Sequence, residues 1–313
     1  MKSPEGKFSL QTSGLFYLGR QGQKKFFLSA NDNGRIDRIS LDESFSPPKF
    51  DVQVLHFEVA STAKFFAELA KMDFEDIVYD KVTNRILVSI EGNSDFVPPR
   101  RVSYQKTEGL YELEFNKTIL DCDTLKKVKK IPLPEELFLY TNDNVTFEGF
   151  AITDNYIYLG LENITDVNSQ FSDSTYLYIM DRNTRAIKKI SSKLFNVRSI
   201  TGLCAKDDLT LYGVDRESKK IFYIKFNPDF SIKEHKDKSF DLPMPQHPDF
   251  SMDKMTGVEA IAVDDEGNIY TDVDPWSDLY KPDLTPKALL SEEEKINITK
   301  LIPVLYKYKN PFQ

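Results

Sequence analysis

One pattern, duplicated along the chain, limits what this sequence can fold into. Four segments share an apolar residue, then a polar one, then a small or acidic one, and then an alternating apolar run: FEDIVYD (Phe74 to Asp80), FEGFAIT (Phe147 to Thr153), ITGLCAK (Ile200 to Lys206) and VEAIAVD (Val258 to Asp264). Each is followed by a turn and a second short run, RILVSIE, YIYLGLE, LTLYGVD and NIYTDVD, ending at Glu91, Glu162, Asp215 and Asp274. The two pieces keep step: Glu75 to Glu91 is 16 positions, Glu148 to Glu162 is 14, Thr201 to Asp215 is 14 and Glu259 to Asp274 is 15. A weaker fifth copy opens the chain with SGLFYLG (Ser13 to Gly19) and KFFLSAN (Lys25 to Asn31). A unit that recurs in this way cannot bury its apolar face alone and must stack on its neighbours.

The runs are strands, because aromatic and β-branched residues alternate with polar ones over five to eight positions between turn clusters such as NDNG, DRNT and DDEGN. A third aromatic strand follows each pair (RIDRISL, GLYELEF, TYLYIMD, KIFYIKF, VLYKYK), and usually a fourth such as KKVKKIPLP. Four antiparallel strands per copy, five times over, predict an all-β fold: a five-bladed β-propeller occupying 1–313 as one domain. Six blades is the alternative if Asp121 to Val145 or the tail holds another unit. The last copy supplies three strands, so its fourth is expected from GKFSLQT (Gly6 to Thr12), closing the ring with the N-terminal strand. Helical spacing is confined to Ser61 to Met72 and, less regularly, Ala288 to Ile302.

Blade geometry gathers residues far apart in sequence. The start of each innermost strand and the end of the next lie at one face, which collects Ser13, Glu75, Glu148, Thr201 and Glu259 with Asn31, Glu91, Glu162, Asp215 and Asp274. Carboxylates about 4 Å apart repel by roughly 4 kcal/mol at an intermediate dielectric, so such a ring needs compensation. Three forms are open. The first is a hard cation held by oxygen ligands, for which Ca²⁺ fits an irregular cage better than Mg²⁺ or zinc. The second is pairing with Arg216, Arg198, Arg100 or Arg101, which are also able to hold a phosphate. The third is hydrogen bonding of each acid to backbone N–H groups at the strand ends. The long connections fall on this same face, and they carry Trp276, Tyr104, Phe96 and His247.

The remaining composition narrows the chemistry. A net charge of −8 argues against nucleic acid or an anionic membrane as the main partner, and two cysteines outside any CxxC pair give no indication of a disulfide framework or a thiolate zinc site. No GxSxG, HExxH, GxxxxGK[ST] or GxGxxG motif occurs among 313 residues, and of the three histidines His56 reads as packed in a strand and His235 as part of a solvated edge. Paired carboxylates for glycoside hydrolysis are also on offer. No run of about 18 apolar residues exists, so no membrane span is expected. Met1 to Leu10 carries no signal-peptide core, which leaves a cytosolic chain or a trimmed mature form.

SGLFYLG with KFFLSANDNGRI, FEDIVYD with ILVSIEGNSDFVPPR, and FEGFAIT with YIYLGLEN together resemble the phytase-like (esterase-like activity of phytase) propeller domain, found in bacterial secreted or envelope proteins. The resemblance spans most of the chain. It implies a periplasmic, secreted or envelope location, Ca²⁺ in or near the channel, and hydrolysis of a phosphoester or carboxyl ester. Glu75, Glu91, Glu148, Glu162 and Glu259 stand where that family's blade-top acids would be, and basic residues for a multi-phosphate are few. The first expectation is thus a monomeric calcium-dependent hydrolase acting on a small-molecule or phosphorylated substrate. Its metal ligands are drawn from Glu75, Glu148, Glu259, Glu91, Glu162, Asp215 and Asp274, and Glu148, Arg216 and Arg198 act at the reacting group. The second is a non-catalytic propeller that presents its loop face to a sugar, peptide or protein, with the cation only fixing the mouth.

Overall fold

The structure is a computed structural model and describes residues 1–2, 5–7, 11–57, 73–91, 108–141, 145–164, 170–244, 246–251, 257–274 and 289–313. The expected helix at Ser61 to Met72, and Phe96, Arg100, Arg101, Tyr104 and Trp276, lie outside the described residues.

The chain is mostly β and builds its sheets in chain order. Strands β1 (Thr12–Gln21), β2 (Lys24–Asn31), β3 (Arg35–Asp42) and β4 (Lys49–Phe57) form one antiparallel meander, and β5 (Phe74–Asp80), β6 (Arg85–Ile90), β7 (Gly109–Phe115) and β8 (Thr124–Lys130) form the next. Two further four-stranded sheets follow: β9 (Phe147–Ile152), β10 (Tyr156–Leu161), β11 (Tyr176–Asp181) and β12 (Ile187–Ser191), then β13 (Gly202–Asp207), β14 (Thr210–Asp215), β15 (Lys220–Phe226) and β16 (Ile232–Ser239). A small hairpin of β17 (Pro243–Met244) and β18 (His247–Ser251) precedes the last sheet, made of β19 (Gly257–Val263), β20 (Ile269–Asp274) and β21 (Val304–Tyr308). Helix α1 (Glu292–Thr299) leads into β21 and starts at a capping box, in which Ser291 and Glu294 each satisfy the other's backbone N–H. No described helix is long and apolar enough to cross a membrane.

First strands pack side by side in a closed circuit, β1 against β5, β5 against β9, β9 against β13, β13 against β19, and β19 back against β1. The sequence pattern explains why. Successive side chains of a strand point to opposite faces, so a strand between two sheets feeds two cores. Phe27 packs toward the last sheet and Leu28 toward the second; Ile77 faces the first sheet and Val78 the third; Leu211 faces the third and Tyr212 the last. One apolar layer thereby fills each gap around the circuit. The outer strand β16, IKEHKDKS, pairs only with β15 among the described strands and is exposed along nearly its whole length.

The small residue of the repeat lets the inner strands meet at the hub. A side chain on Gly14 would place its Cβ 2.7 Å from the Cα of Asp76, and one on Gly202 would lie 2.6 Å from the carbonyl of Glu259. In the second copy Asp76 itself occupies that position. Its carboxylate accepts the N–H groups of Ile77 and Phe150, each at 2.8 Å, so it ties β5 to β9 at the axis.

Three features differ from the sequence expectation. The first two meanders merge into one eight-stranded sheet, because β4 and β8 pair in parallel through His56↔Thr124 and Phe57↔Leu125. His56 itself is exposed at this junction rather than packed. The last sheet has three described strands; Thr12 already belongs to β1, and residues 8–10 of the expected closing strand lie outside the described residues. The contact made there by the chain's start comes from Met1, whose amino group donates to the Pro303 carbonyl just ahead of β21. The second expected helix, Ala288 to Ile302, is realised only over Glu292–Thr299.

Candidate functional site

Two backbone hydrogen bonds repeat at the acidic end and fix the site. The N–H of Glu91 donates to the Asp73 carbonyl at 3.0 Å, and the N–H of Glu162 donates to the Thr146 carbonyl at 2.9 Å. Each clamps the end of one strand beside the start of its neighbour, bringing Glu91 next to Glu75 and Glu162 next to Glu148. Because the first strands of successive sheets run side by side, these pairs converge with Glu259 from β19. All five glutamates are less than a tenth exposed.

Arg216, just after β14, is the cation that ion-pairs with this group among the described residues. It donates through Nη1 to Glu259 Oε1 at 2.7 Å and through Nη2 to Glu162 Oε1, and its Nη1 lies 3.7 Å from Glu148 Oε2. Burial works against its charge, but Glu259, Glu148 and Glu162 hold it protonated well above the ordinary value. Glu148 Oε2 accepts no hydrogen bond among the described residues. Burial, with Glu162 beside it, pushes the Glu148 carboxyl well above the usual range even against Arg216. Burial and the proximity of Glu91 and Glu148 do the same to Glu75.

Around Glu75 the carboxylates crowd further. Asp73, Glu75 and Glu91 each offer an oxygen, and these lie within 4.8 Å of one another. Ligands about 2.3–2.6 Å from one Ca²⁺ lie no more than about 5 Å apart, so the trio matches the spread of such a donor set, and it is composed of oxygen alone. Glu108, fully buried at the start of β7, stands behind it and accepts a hydrogen bond from Thr141 Oγ1 at 3.1 Å. Burial pushes its carboxyl up to about 8, with Glu91 adding to the shift.

The structure brings together Glu75, Glu91, Glu148, Glu162, Glu259 and Arg216, and it sets two candidates apart. Asp215 is buried but accepts the N–H groups of Arg198 at 2.9 Å and Ser218 at 3.0 Å, so it organises the turn after β14. Arg198 turns its half-exposed guanidinium outward to within 3.6 Å of Asp173. Asp274 ends β20, and its side chain lies outside the described ones. His247 pairs instead with Glu294 of α1, 3.2 Å away. Sequence reasoning passed over Asp73 and Glu108. Asp73 precedes the repeat by one residue and aligns with Thr146, and Glu108 opens a third strand; neither position is acidic in the other copies.

No family model matches the chain, and no curated protein matches it. Among solved structures the chain is similar to β-propeller-like proteins. A luciferin-regenerating enzyme is 12% identical with a TM-score of 0.42, over 85% of this chain and 70% of that one. The PQQ-bound aldose sugar dehydrogenase of Streptomyces coelicolor is 10% identical with a TM-score of 0.43, over 85% and 89%. The WD40 repeats of RRP9 are 10% identical with a TM-score of 0.33, over 66% and 46%.

Proposed function

We propose that this chain is a five-bladed, calcium-binding propeller that hydrolyses an uncharged ester, either a carboxyl ester or a lactone, at the acidic mouth of its central channel. The observation that carries the reading is the buried trio Asp73, Glu75 and Glu91, whose oxygens approach within 4.8 Å of one another. A donor set of three carboxylates and no nitrogen or sulfur suits Ca²⁺. When bound there, the ion supplies a positive charge against which a carbonyl oxygen is polarised.

The chain's own groups divide the remaining work. Arg216 holds Glu162 and Glu259 in place and keeps a positive charge beside Glu148. Glu148, with one oxygen that accepts no hydrogen bond among the described residues and a carboxyl raised by burial, takes the proton of the attacking water as general base. Electrostatics separates the two ester classes. Six carboxylates against one guanidinium and one divalent ion leave the mouth negative when they are ionised, which repels a phosphoester. Arg198, the further cation that a phosphate would need, points away. The phytase-like resemblance is thereby narrowed to its esterase side.

The test is turnover of 4-nitrophenyl acetate and of 4-nitrophenyl phosphate, each with calcium and with EDTA. Calcium-dependent release from the acetate, none from the phosphate, and a fall of about 100-fold or more in kcat for Glu148→Gln are expected. Release from the phosphate at a comparable rate would overturn the choice of ester. No turnover of either by a calcium-loaded protein would favour the binding propeller.

A further inference from the structure

The channel has a second end. There the inner strands contribute Val78, Ala151, Leu203 and Ala262, all buried, to the lining of a cavity of about 450 Å³. That volume is within the usual range of small-molecule sites, about 300–1,000 Å³. Asp76 sits at the hub between this cavity and the acidic mouth, held by the N–H groups of Ile77 and Phe150. Cys204 lines the wall, and burial pushes its thiol up to about 12, so it stays a neutral apolar group there.

The rim carries both signs of charge, but they are used differently. Its acids are already engaged: Asp264 with Lys25 at 2.8 Å, Asp265 with Arg20 at 3.0 Å and with the Tyr17 hydroxyl at 2.8 Å, and Glu266 with Arg20 at 2.7 Å. Lys81 and Lys206, on the same rim, are exposed and make no ion pair among the described residues. An apolar floor under two uncommitted ammonium groups is complementary to a molecule with an apolar body and a single anionic head. We propose that this cavity is a second ligand site, separate from the acidic mouth, that takes a small amphipathic carboxylate with its chain against the apolar floor and its carboxylate toward Lys81 and Lys206. The two ends then differ in the sign of ligand they admit, a cation at one and an organic anion at the other.

Octanoate and octanol, which share a chain and differ in charge, are the probes, with 1-anilinonaphthalene-8-sulfonate fluorescence as the displacement readout on the intact protein. One saturable octanoate site per chain is expected, with octanol at least about tenfold weaker. Combining Lys81→Glu and Lys206→Glu, both exposed, weakens octanoate about tenfold or more and leaves octanol and the thermal melt unchanged. EDTA does not alter octanoate binding. Equal affinity for octanol, no saturable binding, indifference to charge reversal, or loss of octanoate binding in EDTA would each overturn the assignment.

Discussion

The two ends of the channel are built from the same repeat and handle buried charge in opposite ways. At the tight-turn end the carboxylates are matched by several cations, since Arg20 also reaches Glu266 and Lys307 also reaches Glu43. Lys25, almost wholly buried on β2, reaches Asp264, Glu266 and Glu43 and so fastens the first sheet to the last. Arg182 reaches back to Asp80 at 2.5 Å and fastens the third sheet to the second. Although burial opposes it, Lys25 holds the Asp264 carboxyl below the usual range, and Lys307 together with Lys25 does so for Glu43. At the other end one guanidinium serves three glutamates, and the carboxyls of Glu148 and Glu162 rise. The first end spends its charges on closing the ring. The second keeps an excess that a ligand can neutralise, and such an unbalanced cluster in a buried site is what binding or catalysis requires.

If this contrast is correct, breaking either arrangement has a large but distinguishable effect. Arg216→Met leaves Glu148, Glu162 and Glu259 buried without their cation and is expected to cost about 3–5 kcal/mol in urea denaturation with EDTA, part of it recovered on adding calcium. Lys25→Met is expected to cost a similar amount, because Asp264 and Glu43 lose their partner, and calcium stabilises this variant no more than it stabilises the parent protein. Equal calcium rescue of both variants would erase the distinction between the two ends.

Acidity separates the ends next. Glu148 and Glu108 have folded-state values above their ordinary 4.5, so the folded protein binds their protons more tightly than the unfolded chain. Their effect is least harmful below about pH 4.5, and stability falls as pH rises through the shifted values, reaching about 8 for Glu108. Asp264 behaves in the reverse sense: its contribution is complete above the ordinary 3.8 and is lost as pH falls below it. Melting temperatures in EDTA should therefore decline from pH 5 to pH 8 and also below pH 4. Asp264→Asn should flatten only the acid limb. The smallest expected effect is that of Glu108→Gln, which flattens part of the alkaline decline and raises stability at pH 8. A Glu108→Gln protein less stable at pH 8 than the parent would show that the carboxylate is paired there after all.

How far the sequence reveals this architecture depends on the range of the interaction involved. The repeat marks β5 with β6, β9 with β10, β13 with β14, and β19 with β20, because a strand buried on both faces needs a dense apolar alternation that survives as sequence pattern. The convergence of Glu75, Glu148 and Glu259 is legible for the same reason, since position within a copy dictates position at the hub. Pairing between units is not written in any one copy. The β4–β8 parallel contact, the Lys25–Asp264 clasp and the orientation of Arg198 depend on which side chains from distant segments meet. Asp215 illustrates the limit most clearly. It occupies the same repeat position as Glu162, yet with a side chain one methylene shorter it turns back to the amides of Arg198 and Ser218.

Calcium titration calorimetry of the metal-free protein, set beside Glu91→Gln, bears on the site directly. One calcium ion per chain for the parent protein, and at least a tenfold loss of affinity in the variant with its fold intact, is the predicted result. No heat of binding from a folded parent protein, or undiminished affinity in Glu91→Gln, would contradict the placement of a cation among Asp73, Glu75 and Glu91.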